Sequence, residues 1–249
     1  MAEFDHKVAL VTGGSSGIGR ASALAFAAKG AKVVVSSRRI KEGEETVALI
    51  QTAGGEAIFV QTDVTQAVEV ENLVNQAVAT YGRLDYAFNN AGTEGAIGPS
   101  IEQTEADWDQ VIDTNLKGVW LSMKYEIPQI LKQGGGAIVN NASVAGLIGL
   151  ANSSMYVASK HGVVGLTKTL ALEHAKDNIR VNTVCPAGID TEMLTRAFGD
   201  AKVDFGLQHP VGRLGTSEEV ANAVVWLCSD ASSFITAHPL VIDGGYTAR

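Results

Sequence analysis

The residues with the plainest chemical promise lie in the run SSMYVASKHG, residues 153–162, where Tyr156 stands four positions before Lys160. On a helix, positions i and i+4 share a face, with Cβ atoms about 6 Å apart. A phenol holds its proton to about pH 10 and is a reluctant base at neutrality. A neighbouring ammonium favours the phenolate and can lower that value by about 1–3 pH units. Tyrosine then comes within range of proton exchange with an alcohol. The same spacing also serves an ordinary surface contact, so the company of the pair matters. Ser143 closes the run GGAIVNNAS, which reads as a strand. A helix starting near residue 154 must run back past that strand end, so the Ser143 hydroxyl can hydrogen-bond the oxygen that Tyr156 protonates. Asn115, in DTNLKG, is by itself an asparagine that bends a helix or faces solvent.

A second group is the turn LVTGGSSGIGRA, with glycines at 13, 14, 17 and 19. It follows the first β-rich run and opens the first helical one. Such a turn lets backbone N–H groups approach a phosphate, and the helix N-terminus adds a favourable dipole. A tight turn that only needs small residues is the alternative. The first strand-to-helix junction, where nucleotide sites sit, favours phosphate binding.

These residues need a frame, and the chain supplies one by alternation. The runs KVALVTG, AKVVVSS, EAIFVQTDV, LDYAFNNAG, GGAIVNNAS, IRVNTVCP and HPLVIDGG read as strands, and amphipathic runs separate most of them. Among those, EADWDQVIDTNLKGVWLSMKYEIPQILKQ and SMYVASKHGVVGLTKTLALEHAKD read as two long helices. Val- and Ile-rich strands each followed by a helix imply a parallel sheet covered on both faces. The expected fold is therefore α/β: a doubly wound, Rossmann-like fold with a parallel sheet of about seven strands in one domain spanning 1–249. Residues 188–215 break the rhythm and are expected to form a substrate lid at the carboxyl ends of the strands.

Composition narrows the function. The net charge is −8 with no run of lysines or arginines, which argues against nucleic acid or an anionic membrane as partner. The two cysteines, Cys185 and Cys228, are far apart and form no disulfide framework, so a cytoplasmic setting is expected. The five histidines show no metal-ligand spacing, and no metal is expected. No signal peptide is read at the start, and no apolar run reaches the ~20 residues of a membrane span.

Taken together and in order, these motifs resemble the classical short-chain dehydrogenase/reductase family. The turn matches T-G-x-x-x-G-x-G through Thr12, Gly13, Gly17 and Gly19, and NNAG at 89–92, NNASVAG, YVASK and DGGY match further segments. The resemblance extends along essentially the whole chain. It implies that Tyr156 is the proton donor and acceptor, Ser143 orients the substrate, Lys160 shifts the tyrosine and binds the nicotinamide ribose, and Asn115 anchors a proton-relaying water. It implies a cofactor site of Thr12, Gly13, Ser15, Ser16, Gly17, Ile18, Gly19, Ser37, Arg38, Asp63, Val64, Asn90, Ala91, Gly92, Pro186, Gly188, Ile189 and Thr191, with Tyr156 and Lys160.

The cofactor can be narrowed. In the plain Rossmann logic an acidic residue at the end of the second strand holds the ribose 2′-OH. Here that position is Ser37, followed by Arg38 and Arg39. A carboxylate would repel a 2′-phosphate, whereas arginine can bind it bidentately, so NADP(H) is favoured and NAD(H) remains possible. Ser16, where many NADP-preferring members carry a basic residue, is not basic, and two arginines at a strand end can be merely solvated. The chain departs from the family at Ala187, where P-G is usual, and at Ala237, which would cost stability if its φ is positive.

The positions expected to face substrate are Glu94, Ala145, Leu147, Ile148, Asn152, Ala187 and Met193. Most are apolar or small, which suggests a hydrophobic ketone or alcohol, with a sugar or polyol suggested instead by Glu94 and Asn152. A 3-oxoacyl-carrier-protein reductase and a non-catalytic nucleotide-binding protein are the remaining alternatives. Cys185 reads as a core thiol, His161 as packing or interface, and Trp108, Trp120 and Trp226 as core or subunit contacts. The long helices carry more apolar surface than one sheet face should cover, and by resemblance a homotetramer is expected.

Overall fold

The computed structural model describes residues 2–248. Seven strands form a single parallel sheet: β1 Val8–Thr12, β2 Lys32–Ser37, β3 Ala57–Gln61, β4 Tyr86–Asn89, β5 Gly136–Asn141, β6 Ile179–Pro186 and β7 Pro239–Ile242, in the order β3-β2-β1-β4-β5-β6-β7. Every neighbouring pair is parallel. The order reverses between β1 and β4, so a crevice opens at their carboxyl ends.

The apolar strand runs explain the two-sided covering. Successive side chains of a strand point to opposite faces. Ala9, Val11, Val33 and Val35 pack with Phe26 of α1 (Gly17–Ala28), Ile50 of α2 (Ile40–Thr52), and Val220, Val224 and Leu227 of α9 (Ser217–Cys228). Val8, Leu10 and Val34 face the other way. They pack with Leu73 of α3 (Ala67–Tyr81), Met123 and Ile127 of α5 (Gly118–Leu131), and Val163 and Ala171 of α6 (Ser154–His174). Each fully buried side chain of this kind contributes about 1.5–3 kcal/mol. Helix boundaries follow local chemistry: Thr104 and Asp107 form a capping box on α4 (Glu105–Ile112), as do Thr216 and Glu219 on α9.

The run expected as one long helix over 105–133 is interrupted. Between α4 and α5, residues Asp113–Lys117 form a π-helical turn, with the Gly118 N–H bonding the Asp113 carbonyl. Asn115 lies on this turn, fully buried, and Gly118 packs against Val64, where a Cβ would meet the Val64 side chain at 2.8 Å. Residues 188–215 contain α7 (Glu192–Phe198) and α8 (Lys202–Leu207), joined by a stacked pair, Phe198 on Phe205, 5.1 Å between ring centroids. Among the described residues no helix is long and apolar enough to cross a membrane.

Candidate active site

A cleft of about 450 Å³ opens over the β1/β4 switch and runs from the glycine turn to Tyr156. Its floor is built by glycines where side chains would not fit. At Gly13, φ is +64° and a Cβ would meet Asn90 Nδ2 at 2.8 Å. At Gly19 a Cβ would collide with the Gly13 carbonyl, which is why the first turn of α1 can press on the strand end. Thr12 Oγ1 accepts from the N–H groups of Asn90 and Ala91, at 3.0 and 3.1 Å. Asn90 Nδ2 in turn holds the carbonyls of Thr12 and Gly13, at 3.1 and 3.2 Å. The backbone cradle is thus fixed from β4 and free to receive a phosphate.

The expected chemical group comes together at the other end. Lys160 is buried and its Nζ donates to the Asn141 carbonyl at 2.7 Å, 5.5 Å from the centre of the Tyr156 ring. The Tyr156 phenol faces the cleft. Burial raises it above its ordinary value of 10.0; interaction with Ser143 opposes that rise and the Glu94 carboxylate adds to it. Burial lowers Lys160 to about 8. The sequence led us to expect the lysine to pull the tyrosine down. Desolvation wins instead, because the ammonium donates to the Asn141 carbonyl and lies over the ring. Tyr156 is therefore a neutral, proton-bearing phenol.

Ser143 stands at the start of a short 3₁₀ turn and accepts from the Ala145 N–H at 3.1 Å while its hydroxyl donates to the Pro186 carbonyl at 3.3 Å. Asn115 Nδ2 donates to the Thr93 carbonyl at 2.9 Å and to Ser159 Oγ at 3.2 Å, and its Oδ1 accepts from the Thr93 N–H at 2.8 Å. It clamps the loop after NNAG. Gly92 lies between it and the lysine: a Cβ there would be 3.3 Å from Asn115 Oδ1 and 3.8 Å from Lys160 Nζ.

Of the expected cofactor positions, Gly13, Ser15, Ser16, Gly17, Ile18, Ser37, Arg38, Asp63, Val64, Asn90, Ala91, Gly92, Tyr156, Lys160 and Thr191 line the cleft. Thr12 and Gly19 support it from beneath. Pro186, Gly188 and Ile189 do not line it. Ile189 is buried in the core, and Gly188 donates its N–H to His209 Nε2 at 3.2 Å and is packed against Phe205 and Leu214. Of the expected substrate-facing positions only Glu94 and Met193 line the cleft. The 3₁₀ turn drives Ala145 into the interior, Leu147 packs against the core, and Ile148, Asn152 and Ala187 lie off the cleft wall. The two departures resolve differently. Ala187 has negative φ and needs no glycine, whereas Ala237 has φ +60°.

The contacts of several wall residues were not legible in the sequence. Arg39 spans the glycine turn, with its Nη2 2.6 Å from Ser16 Oγ and 3.1 Å from Ser15 Oγ, and its Nη1 3.0 Å from Glu192. Ser37 Oγ donates to the Arg39 carbonyl at 2.9 Å, which sets this geometry. Arg196 of α7 pairs with both oxygens of Glu94, at 3.0 and 3.4 Å. Asn141 Nδ2 donates to Asn90 Oδ1 at 2.8 Å, joining β5 to β4 above the sheet. Contacts over such sequence separations leave no local signal, although the i, i+4 spacing of Glu192 and Arg196 already placed two charges on one face of α7. Behind the strand ends, buried Glu126 accepts from Asn89 Nδ2 at 3.0 Å, and burial raises its carboxyl to about 7.

Other expectations about single residues can be placed. Cys185 and Cys228 are buried and free, with burial raising Cys185 to about 11. His161 is exposed, its ring bonded to the Val157 carbonyl at 3.0 Å. Trp108, Trp120 and Trp226 are 45%, 45% and 38% exposed and do not belong to the core. Among the described residues no group of three or more His, Cys, Asp or Glu side chains could hold a metal ion.

Comparison with known proteins agrees with this architecture. A family model described as enoyl-(acyl carrier protein) reductase matches residues 13–247. The chain is 46% identical to a cyclohexanol dehydrogenase of Acinetobacter sp. (strain SE19), covering 99% of this chain and 97% of the relative. It is 42% identical to a 2,5-dichloro-2,5-cyclohexadiene-1,4-diol dehydrogenase of Sphingobium indicum over the full length of both. The crystal structure of levodione reductase superposes with a TM-score of 0.95 at 37% identity, over 98% of this chain and 99% of that one. With the glycine turn and the Tyr156–Lys160 pair at one crevice and Ser143 interacting with Tyr156, these matches are those of a carbonyl–alcohol oxidoreductase using a nicotinamide cofactor, and the chain belongs to the classical short-chain dehydrogenase/reductase family.

Proposed function

We propose that the protein is an NADP(H)-dependent oxidoreductase interconverting a hydrophobic alicyclic ketone and its alcohol, with Tyr156 as proton donor and acceptor. The observation that carries this reading is the placing of Tyr156 on the cleft wall with the buried Lys160 ammonium 5.5 Å from its ring centre. In reduction the Tyr156 O–H protonates the substrate oxygen, which Ser143 holds by a hydrogen bond. In oxidation the phenolate takes the proton back. The phenolate left after reduction is stabilised by the Lys160 ammonium beside the ring and regains its proton from solvent, and Asn115 fixes the loop on which Gly92 and Thr93 stand. The bound nicotinamide gives or takes the hydride.

The glycine cradle suits a dinucleotide diphosphate, because its N–H groups lie where no side chain fits. NADP(H) is favoured by the neutral Ser37 at the end of β2 and by Arg38 on the cleft wall, a pattern that accepts a 2′-phosphate. The alicyclic substrate is favoured by relatives whose names specify cyclohexanol, a cyclohexadienediol and levodione. Residues 188–215, which bring Met193 and Arg196 over the cleft, act as its lid. The half-exposed Trp108 and Trp120, with Leu172 at 75% and Phe234 at 103% exposure, support burial between subunits of a homotetramer.

The test is NADPH and NADH oxidation against a panel of cyclic ketones, with Tyr156→Phe beside the wild type. Loss of turnover by at least about 10²-fold is expected, the scale of general acid catalysis, with cofactor binding kept within about twofold. Substantial turnover by Tyr156→Phe would remove Tyr156 from the reaction.

A further inference from the structure

We propose that Glu192 tunes cofactor preference by holding the Arg39 guanidinium that a 2′-phosphate would otherwise take. The proposal rests on the reading of the Arg38–Arg39 corner as the phosphate-facing end of the cleft, and it concerns a residue outside the glycine turn and outside β2.

The Arg39 side chain is fully committed. Its Nη1 is 3.0 Å from Glu192 Oε2 and 4.0 Å from Glu42 Oε1, its Nη2 donates to Ser16 and Ser15, and its Nε donates to Ser15 Oγ at 3.3 Å. Arg38 differs. Among the described residues it is bonded through its carbonyl, which accepts from Gln61 Nε2, while its side chain stands on the cleft wall. One arginine is thus open to a dianion, and the other already carries a carboxylate.

Glu192 does not hang from a loose loop. The preceding Thr191 caps α7 through its side chain, which accepts from the Leu194 N–H at 3.3 Å. The same threonine packs on the glycine turn, where a Cβ at Gly17 would come 3.1 Å from its methyl carbon. One turn on, Arg196 ties α7 to Glu94 across the cleft. The carboxylate is therefore presented to Arg39 by a helix seated on the phosphate cradle. A 2′-phosphate entering beside Arg39 meets repulsion from Glu192 and must replace an ion pair. A 2′-hydroxyl can enter with that pair intact. Glu192 accordingly weakens NADP(H) selectively, and its displacement would loosen α7 at the end nearest the cofactor.

The test is direct binding, followed by the fluorescence of the reduced nicotinamide on titration into cofactor-free protein. Wild type, Glu192→Gln, Glu192→Lys, Arg39→Ala and the Arg39→Ala/Glu192→Gln double variant are compared with NADPH and NADH. An exposed ion pair contributes up to about 1 kcal/mol, or about fivefold. Glu192→Gln is expected to tighten NADPH by about fivefold, with NADH within about twofold. Glu192→Lys should tighten NADPH further, and the Glu192→Gln effect should vanish once Arg39 is gone. If Glu192→Gln leaves the NADPH-to-NADH ratio unchanged while Arg39→Ala weakens NADPH selectively, Glu192 has no such role and the phosphate reading of Arg39 stands. If Arg39→Ala leaves that ratio unchanged, Arg39 does not meet the phosphate and the role of Glu192 falls with it.

Discussion

Lys160 should weaken the fold that it serves. Its ammonium is buried and donates a hydrogen bond to the Asn141 carbonyl, and burial lowers it from 10.5 to about 8. A displacement of that size corresponds to about 3 kcal/mol against the charged form. The sign follows from proton binding. Between about pH 8 and 10.5 the unfolded chain keeps a proton that the folded chain has lost, so wild-type stability rises with pH across that window. Below it, the whole penalty is present. Lys160→Met keeps most of the hydrocarbon and removes the charge. In the cofactor-free protein at about pH 7 this variant should exceed the wild type by up to about 3 kcal/mol, while losing turnover. The assay is urea unfolding of both proteins at matched concentration across the pH range, with the gap closing as pH rises from about 8 to 10.5. A Lys160→Met protein that is less stable at neutral pH, or a gap that does not change with pH, would refute the reasoning.

Glu126 gives the opposite dependence. Its carboxyl is raised from 4.5 to about 7, so the folded chain holds a proton that the unfolded chain has lost, and wild-type stability falls as pH rises between those values. Glu126→Gln should match the wild type below about pH 4 and exceed it by about 3 kcal/mol at about pH 8, measured by denaturant midpoints; a pH-independent difference would mean that burial does not shift the carboxyl away from its unfolded value. Ala237 sits at φ +60°, a conformation that costs an L-residue about 1–2 kcal/mol. Ala237→Gly should raise stability by about 0.5–1 kcal/mol after the entropy of the freer unfolded chain is counted, read as a small rise in thermal midpoint.

The sheet, its approximate strand count and the chemical group were legible because each rests on a local pattern. Val-rich runs mark strands, and the glycine, Tyr156–Lys160 and NNAG motifs each lie within a few residues of chain. The π turn at Asn115 was not legible: apolar spacing continues through residues 105–131, and the bonds that fix the turn go to Thr93 and Ser159. The cost of Ala237 could be anticipated from a missing glycine, whereas the missing glycine at Ala187 carries no such cost, because that backbone keeps negative φ. Arg39 was read only as a companion of Arg38, since its bond to Glu192 spans 153 positions. The expectation that Lys160 lowers Tyr156 considered Coulomb attraction and omitted desolvation, which spacing cannot reveal.

The Thr12–Asn90–Asn141–Lys160 chain of hydrogen bonds has a consequence for recombination. Asn90 grips the carbonyls of Thr12 and Gly13, Asn141 grips Asn90, and the Asn141 carbonyl receives Lys160. Four separate stretches of polypeptide are thereby matched to one another. A hybrid spliced between β2 and β4 would inherit its glycine turn from one parent and its two asparagines and lysine from the other. Crossovers among relatives are therefore tolerated where both parents share this polar seam, and elsewhere the seam must travel as a unit.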